Sequence, residues 1–280
     1  MPKRKKTTKS KTAKKTKNKK NKFLRYFILF LVLLFVYAFA IEPNLVVVNR
    51  YTLDIPELKG VRIVLAGDFH TKIYGENHVT DAVMKINEQN ADLVLLIGDY
   101  ININEGPLGY PIEKTSRILS QIRSKHGVYT VLGNHDMYRE KLRITKSLEN
   151  AGIKVLNNSS RRVVIDGKAY YIAGIEDLTT GVPNMEKALR ATGKNTILLT
   201  HQPDAFSKVP ADKVLLTLAG HTHGGQVRIP GVKPNVYTNK YVYGYFESAD
   251  KKMIVTKGLG TSILPVRFAC VPEIVVIDFK

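Results

Sequence analysis

The sequence predicts an α/β fold, and three observations support this class. Three short runs of β-branched and other apolar residues, 61–66, 92–97 and 128–132, are each followed by Gly-Asp or Gly-Asn. Segments with helical spacing of apolar residues separate these runs. Consecutive buried strands joined in this way pair in parallel through right-handed crossovers, and functional sites collect at their carboxyl ends. We therefore expect a parallel sheet with polar side chains gathered along one edge.

The amino terminus is strongly basic. Thirteen of the 43 Lys and Arg residues fall in the first 25 positions, which leaves 30 basic against 24 acidic residues in the remainder. The run of Lys, Thr, Ser and Asn cannot bury enough apolar surface to fold, so residues 1–22 are predicted to be a disordered tail. Such a tail could bind anionic lipid or nucleic acid, but a charge cluster beside a membrane helix explains it better, and no nucleic-acid partner is expected.

Residues 23–41 are predicted to form a transmembrane signal anchor, with the lipid bilayer as partner. From Tyr26 to Ile41 there is no charged residue, and a helix of this length spans about 24 Å against a hydrocarbon core of about 30 Å. Positions 38–40 are only a loose cleavage pattern, which favours an uncleaved anchor. The positive-inside rule then places the amino terminus in the cytoplasm and the rest outside the cell membrane. The short span leaves open a helix that enters only the inner leaflet, with the domain on the cytoplasmic face.

Residues 42–55 are predicted to be an extended linker, because Glu42-Pro43-Asn44 interrupts the helix. Residues 56–280 are predicted to form the catalytic domain, and a chain with 44% apolar residues can bury a sizeable core. Asp166-Gly167 marks an antiparallel hairpin, which adds an α+β component to the fold. Further strands are predicted at 196–200, 214–219, 253–255 and 273–279, with a helix at 184–191. Cys270 is the only cysteine, so an intrachain disulfide is excluded.

Candidate metal ligands follow the predicted strands. Five of the seven histidines stand beside Gly, Asp, Asn or Thr at strand ends: His70, His135, His201, His221 and His223. The same ends supply Asp68, Asp99 and Asn134. This set is too oxygen-rich and too large for one tetrahedral structural zinc, but it suits two divalent ions that share a carboxylate. We find no nucleophile elbow and no phosphate-binding Gly-rich loop with Lys, so water is the expected nucleophile.

Five motifs occur in the order of a known family. Gly67-Asp68-Phe69-His70, Gly98-Asp99, Gly133-Asn134-His135-Asp136, Thr200-His201 and Gly220-His221-Thr222-His223 resemble the five blocks of the calcineurin-like metallophosphoesterase superfamily. Glu42-Pro43, Gly224-Gly225-Gln226 and the segments 258–262 and 264–268 are similar to its bacterial membrane-associated phosphodiesterases of the YkuE and YaeI type. The resemblance implies a four-layer αββα sandwich preceded by one transmembrane helix.

The resemblance also implies roles for individual residues. Asp68, His70, Asp99 and His223 would hold one metal ion, and Asp99, Asn134, His201 and His221 the other, so that Asp99 bridges the two. His135, together with Asn134, is the implied catalytic residue; it would stabilise the transition state or protonate the leaving oxygen. The ions would be Mn, Fe or Zn. The glycines around His221 and His223 are expected to bend the chain and direct both imidazoles inward.

The function implied is hydrolysis of a phosphodiester or pyrophosphate bond by a metal-bridging hydroxide. A lipid-linked phosphate ester such as UDP-2,3-diacylglucosamine is one implied substrate, because related enzymes cleave its pyrophosphate. The chain departs from the superfamily's protein phosphatases at Asn102, where they have an aspartate that orients the catalytic histidine. The alternative is a non-catalytic, membrane-anchored binding protein whose basic arm binds anionic lipid or nucleic acid and whose metal site is structural.

Overall fold

The computed structural model describes residues 9–71, 75–102, 111–232 and 240–280. Its first element is a long helix. Helix α1 (Lys9–Val36) continues as a π-helical turn (Tyr37–Ile41) and a 3-10 turn (Glu42–Asn44). The segment Lys20–Asn44 is long and apolar enough to cross a membrane, because its most apolar 18-residue window has a mean hydropathy of 2.5 and is only 6% buried. The rest of the described chain therefore leaves the apolar surface of this segment uncovered.

Helix α1 begins inside the segment 1–22 that was predicted to be disordered. Its first residue is Lys9, so that prediction is wrong for residues 9–22, while residues 1–8 lie outside the described residues. Lysine is a good helix former, and neither Gly nor Pro separates the basic run from the apolar run. The helix can therefore extend from the apolar segment back into the basic one.

The predicted linker is part of the folded domain. Strand β1 (Val47–Leu53) pairs in parallel with the last strand, β12 (Glu273–Phe279), at the edge of a sheet. The domain thus begins before Pro56, and the boundary predicted from the sequence is wrong. A strand that pairs with a segment more than 200 residues away leaves little local signal, because its stability depends on the partner strand.

Two sheets of six strands each form the body of the domain. The first has the order β1, β12, β2 (Ile63–Ala66), β3 (Leu93–Leu96), β4 (Val128–Thr130) and β5 (Lys154–Val155). The second has the order β10 (Gly244–Ser248), β11 (Lys251–Val255), β9 (Val214–Ala219), β8 (Thr196–Leu199), β7 (Lys168–Gly174) and β6 (Ser159–Ile165). The predicted parallel pairing of β2, β3 and β4 is confirmed. So is the β6–β7 hairpin, in which Asp166 (φ 48°) and Gly167 (φ 77°) both adopt left-handed backbone.

Helices cover both outer faces of the sheets, which confirms the predicted four-layer sandwich. Helices α2 (Glu76–Asn87), α3 (Ile112–Leu119) and α4 (Asn134–Asn150) pack on the first sheet through one apolar cluster. Helix α5 (Met185–Leu189) and the 3-10 helix Pro203–Lys208 pack on the second. Between the sheets, buried side chains of both form the central core, among them Leu65, Leu95, Ile197 and Leu216.

Candidate metal centre

The carboxyl ends of β2, β3 and β4 meet those of β8 and β9 at one end of the sandwich, and two groups of side chains lie there. In the first group, ligand atoms of Asp68, His70 and His223 all lie within 4.8 Å of one another. His70 Nε2 is 3.0 Å from His223 Nε2. All three residues are buried, so this group is a compact set of one carboxylate and two imidazoles.

The second group contains Asp99, His201 and His221, again with ligand atoms within 4.8 Å of one another. His201 Nε2 lies 3.1 Å from His221 Nδ1 and 3.2 Å from Asn134 Oδ1. The amide oxygen of Asn134 therefore faces the same point as the two imidazoles. This group supplies one carboxylate, two imidazoles and one amide oxygen.

Asp99 lies between the two groups. Its Oδ2 atom is 3.4 Å from His70 Nε2 and 3.2 Å from His201 Nε2, while its Oδ1 accepts a hydrogen bond from the His135 backbone N–H at 3.0 Å. His135 adds an edge-on imidazole whose centroid is 4.5 Å from that of His70. The structure thus brings together all eight residues that the sequence singled out.

Asp136 fixes the loop that presents Asp99. Its carboxylate accepts hydrogen bonds from the backbone N–H groups of Asp99 (2.7 Å), Tyr100 (2.9 Å) and Gly133 (3.0 Å). The bond to Gly133 caps α4, whose first turn contains Asn134 and His135. One buried side chain therefore positions residues from two neighbouring strand ends.

The backbone of the cluster is strained. Five of the candidate ligands adopt left-handed φ values: Asp68 (51°), His70 (42°), Asp99 (53°), His221 (70°) and His223 (51°). Non-glycine residues rarely adopt this conformation, which costs about 1 to 3 kcal/mol at each position and is concentrated at functional sites. The surrounding packing must hold these residues in place, since local propensity opposes them.

The glycines of the motifs act mainly by leaving space. A Cβ atom on Gly133 would lie 2.1 Å from Asp99 Oδ1, and one on Gly220 would lie 2.6 Å from Asp68 Oδ2. The expected bend around the His-Thr-His motif lies in His221 and His223 themselves and in Gly224 and Gly225, all at positive φ. Gly220 contributes close approach instead, which corrects the expectation that it bends the chain.

Burial keeps three of the imidazoles neutral. It lowers the pKa of His70 to about 3 and that of His221 to about 4, and it lowers the pKa of His223 well below its ordinary value. Their lone pairs are therefore free of protons at neutral pH, as metal binding requires. Burial also opposes protonation of His201, but the Asp99 carboxylate raises its pKa to about 10. A positive charge is thus stabilised beside Asp99.

The donor set fits divalent metal ions. Burial, together with the neighbouring Asp99 carboxylate, raises the pKa of Asp68 to about 7, while the positive charges of His201 and Arg267 only partly oppose this shift. Among the described residues, the buried Nδ1 atoms of His70 and His223 have no hydrogen-bond partner, so no hydrogen bond to Nδ1 orients either ring. A mixture of imidazole, carboxylate and amide oxygen suits Mn, Fe or Zn.

A family model describes most of the domain that carries this cluster. The model of the calcineurin-like phosphoesterases matches residues 61–225, more than half of the chain and all of the cluster. The chain belongs to the calcineurin-like phosphoesterase family. It is therefore a metal-dependent phosphoesterase, a hydrolase of a family that uses divalent metals.

Relatives of this phosphoesterase occur in bacteria and in animals. The metallophosphoesterase YkuE of Bacillus subtilis is 32% identical over 257 residues, covering 87% of this chain and 89% of that protein. The phosphodiesterase YaeI of Escherichia coli is 29% identical, covering 78% and 81%. A transmembrane protein with a metallophosphoesterase domain from Danio rerio is 31% identical, but the chain spans only 57% of it.

Among solved structures, the NAD nucleotidase of Haemophilus influenzae superposes with a TM-score of 0.50 at 14% identity. The match covers 71% of this chain and 45% of that one. At this identity, the similarity bears on the phosphoesterase fold alone.

One buried carboxylate near the cluster, that of Asp177, was not predicted from the sequence. Asp177 follows β7 by three residues, as Asp99 follows β3. Its Oδ1 accepts hydrogen bonds from Thr179 and Thr180, between 2.8 and 3.0 Å, and its charge favours protonation of His135 and His201. The signal that could have identified Asp177 is its position three residues after a strand, which matches the position of Asp99.

Proposed function

We propose that this phosphoesterase hydrolyses a phosphodiester or pyrophosphate bond at a binuclear metal centre. The main support for this proposal is the position of Asp99. Its Oδ2 atom lies 3.4 Å from Nε2 of His70 in the first group and 3.2 Å from Nε2 of His201 in the second. A carboxylate shared in this way matches the arrangement of two-metal sites. Asp68, His70, Asp99 and His223 would hold one ion, and Asp99, Asn134, His201 and His221 the other.

Bound by these residues, two ions would activate a water molecule and neutralise the charge that develops on the phosphoryl oxygens. The chain itself orients the substrate. Helix α4 starts at Asn134, so its N-terminus directs a positive partial charge towards the cluster and favours an anionic phosphoryl group.

His135 supplies a hydrogen-bond donor at the cluster. Its ring is half-buried beside His70, and burial lowers its pKa. The ring is therefore neutral at pH 7 and offers one N–H to a phosphoryl or leaving oxygen. This favours stabilisation of the transition state over donation of a full proton.

The substrate that we propose is a diester or pyrophosphate linked to a lipid. The relative YaeI is named a phosphodiesterase, and an apolar helix precedes the domain here. A nucleotide lipid such as UDP-2,3-diacylglucosamine combines a pyrophosphate with acyl chains.

Metal removal tests the function. The full chain in detergent with Mn²⁺ is expected to hydrolyse bis-p-nitrophenyl phosphate, to lose this activity after treatment with EDTA, and to regain it when Mn²⁺ is added back. Release of p-nitrophenol provides the measurement, and protein without added metal ion after EDTA is the control. Failure to hydrolyse the diester with Mn²⁺, Fe²⁺ or Zn²⁺ would favour the non-catalytic alternative.

We further propose that α1 crosses the cell membrane once, with the catalytic domain outside. The basic residues before the apolar segment favour a cytoplasmic amino terminus. Fusion of alkaline phosphatase after Lys280 is then expected to give enzyme activity, and fusion of ordinary green fluorescent protein no fluorescence. The opposite pair of results would place the domain on the cytoplasmic face.

A further inference from the structure

A cleft of about 270 Å³ opens between the end of the apolar helix and the metal centre. We call it the anchor cleft and define it by six of its lining residues: Phe39, Pro43, Phe69, His70, Leu259 and Pro265. Whole small-molecule sites usually measure about 300 to 1,000 Å³. The anchor cleft therefore has room for one part of a ligand, and it offers that part an apolar wall formed by five of these residues, beside polar lining residues that include Asn44, Thr71 and His78.

One end of the anchor cleft is the metal centre itself. His70 lines the cleft and belongs to the first ligand group. The wall opposite is tied to the same strand end, because Leu259 N–H donates to Gly67 O at 3.0 Å and Gly260 N–H donates to Asp68 O at 2.6 Å. A ligand part in the cleft is thus directly adjacent to the reacting phosphoryl group.

The other end of the anchor cleft is the apolar helix, which is fixed rigidly to the domain. The buried Glu42 carboxylate accepts hydrogen bonds from Cys270 N–H at 2.5 Å and Ala269 N–H at 3.0 Å. Arg267 N–H donates to Ala38 O at 3.0 Å. No flexible linker intervenes, so Phe39 and the cleft have a fixed position relative to the helix.

The buried Arg267 side chain also holds the wall of the cleft in shape. It donates to Gly260 O at 2.6 Å and to Lys257 O at 2.9 Å. On the rim, Ile263 and Leu264 are 77% and 57% exposed, next to Pro265. Large apolar side chains exposed beside a membrane helix are suited to the bilayer interface. Apolar surface therefore runs from the bilayer to the metal centre.

We propose that the anchor cleft binds the acyl chain of a membrane lipid phosphoester, so that the enzyme takes its substrate from the adjacent leaflet. The proposal rests on the proposed phosphoesterase function and names where its substrate binds. A water-soluble diester needs no apolar path from the bilayer. A lipid needs one, because its acyl chain must stay out of water while its phosphoryl group reaches the metal ions.

A matched pair of substrates tests the proposal. The full chain in lipid nanodiscs with Mn²⁺ is given octyl or methyl p-nitrophenyl phosphate, which carry the same reacting bond. We expect the octyl ester to have at least ~10-fold higher kcat/KM, since burial of apolar surface raises affinity. Phe39→Ala should lower this preference several-fold, mainly through a lower kcat/KM for the octyl ester. Phe23→Ala is the control, because it removes the same side chain from the exposed far end of the apolar segment.

These measurements distinguish a failure of the acyl-cleft proposal from a failure of the proposed phosphodiesterase function. Equal kcat/KM for both esters in the wild-type chain, or an unchanged preference in Phe39→Ala, would overturn the acyl cleft. No hydrolysis of either ester would contradict the phosphodiesterase function on which it rests. A measurement without substitution uses an octyl phosphodiester with a diazirine at the chain end. Crosslinks at Phe39, Leu259 or Pro265 support the proposal, and crosslinks confined to residues 23–36 contradict it.

Discussion

Replacing Asp99 with asparagine is expected to lower kcat/KM for bis-p-nitrophenyl phosphate by at least ~1,000-fold, more than the loss of a single transition-state hydrogen bond. The substitution keeps the shape of the side chain but removes the negative charge from the oxygen that lies 3.4 Å from His70 and 3.2 Å from His201. Asp99 belongs to both proposed ligand sets, so both ions should bind more weakly. Metal content by mass spectrometry should fall together with activity.

The matched control for Asp99→Asn is Asp278→Asn, the same change at a half-exposed carboxylate paired with Arg62 at 2.7 Å. Such a surface pair contributes at most ~1 kcal/mol, so activity and metal content should stay near wild type. Thermal unfolding of both variants identifies any general loss of structure. An Asp99→Asn protein that retains two ions and wild-type activity would show that Asp99 does not bridge them.

Replacing His135 with alanine is expected to lower kcat by roughly 100- to 1,000-fold, the usual effect of losing one transition-state hydrogen bond. Metal content should remain unchanged. The distinction matters because His135 also lies within 4.8 Å of ligand atoms of His70 and Asp99 and could in geometric terms be a ligand. If His135 only donates a hydrogen bond to the phosphoryl group, the His135→Ala variant should keep its metal ions. If His135 is a metal ligand, the variant should lose metal.

His126→Ala is the control for His135→Ala, since His126 precedes β4 at its opposite end and belongs to none of the ligand groups found among the described residues. Its kcat should equal that of the wild type. Loss of an ion from His135→Ala would make His135 a ligand. Retention of full kcat would remove it from the chemistry altogether.

Much of the cluster could be predicted because each of its residues stands at a strand end with a clear local signal. Asp68, Asp99 and Asn134 each follow a glycine after a short apolar run, and parallel strands bring such ends together. A bend around His221 and His223 was predicted, but its location in the left-handed backbone of the histidines themselves could not be, because packing around the site imposes that conformation.

The contacts that hold the apolar helix could not be predicted from the sequence either. Glu42 meets Ala269 and Cys270 across more than 220 positions, and local patterns contain no information about such a partner. The local pattern at Glu42-Pro43 therefore predicted a helix end but no contact with Ala269 or Cys270, and the residues of β1 resembled a linker. The anchor cleft exists because of these distant contacts.

The central claim is that two metal ions share Asp99, and the electron paramagnetic resonance spectrum of the Mn²⁺-loaded chain tests it most directly. Two ions roughly 3.5 to 4 Å apart are coupled magnetically. We predict the spectrum of a coupled Mn²⁺ pair in the wild-type protein and its loss in Asp99→Asn. A fully loaded wild-type protein that gives only the hyperfine pattern of isolated Mn²⁺ ions would contradict the claim.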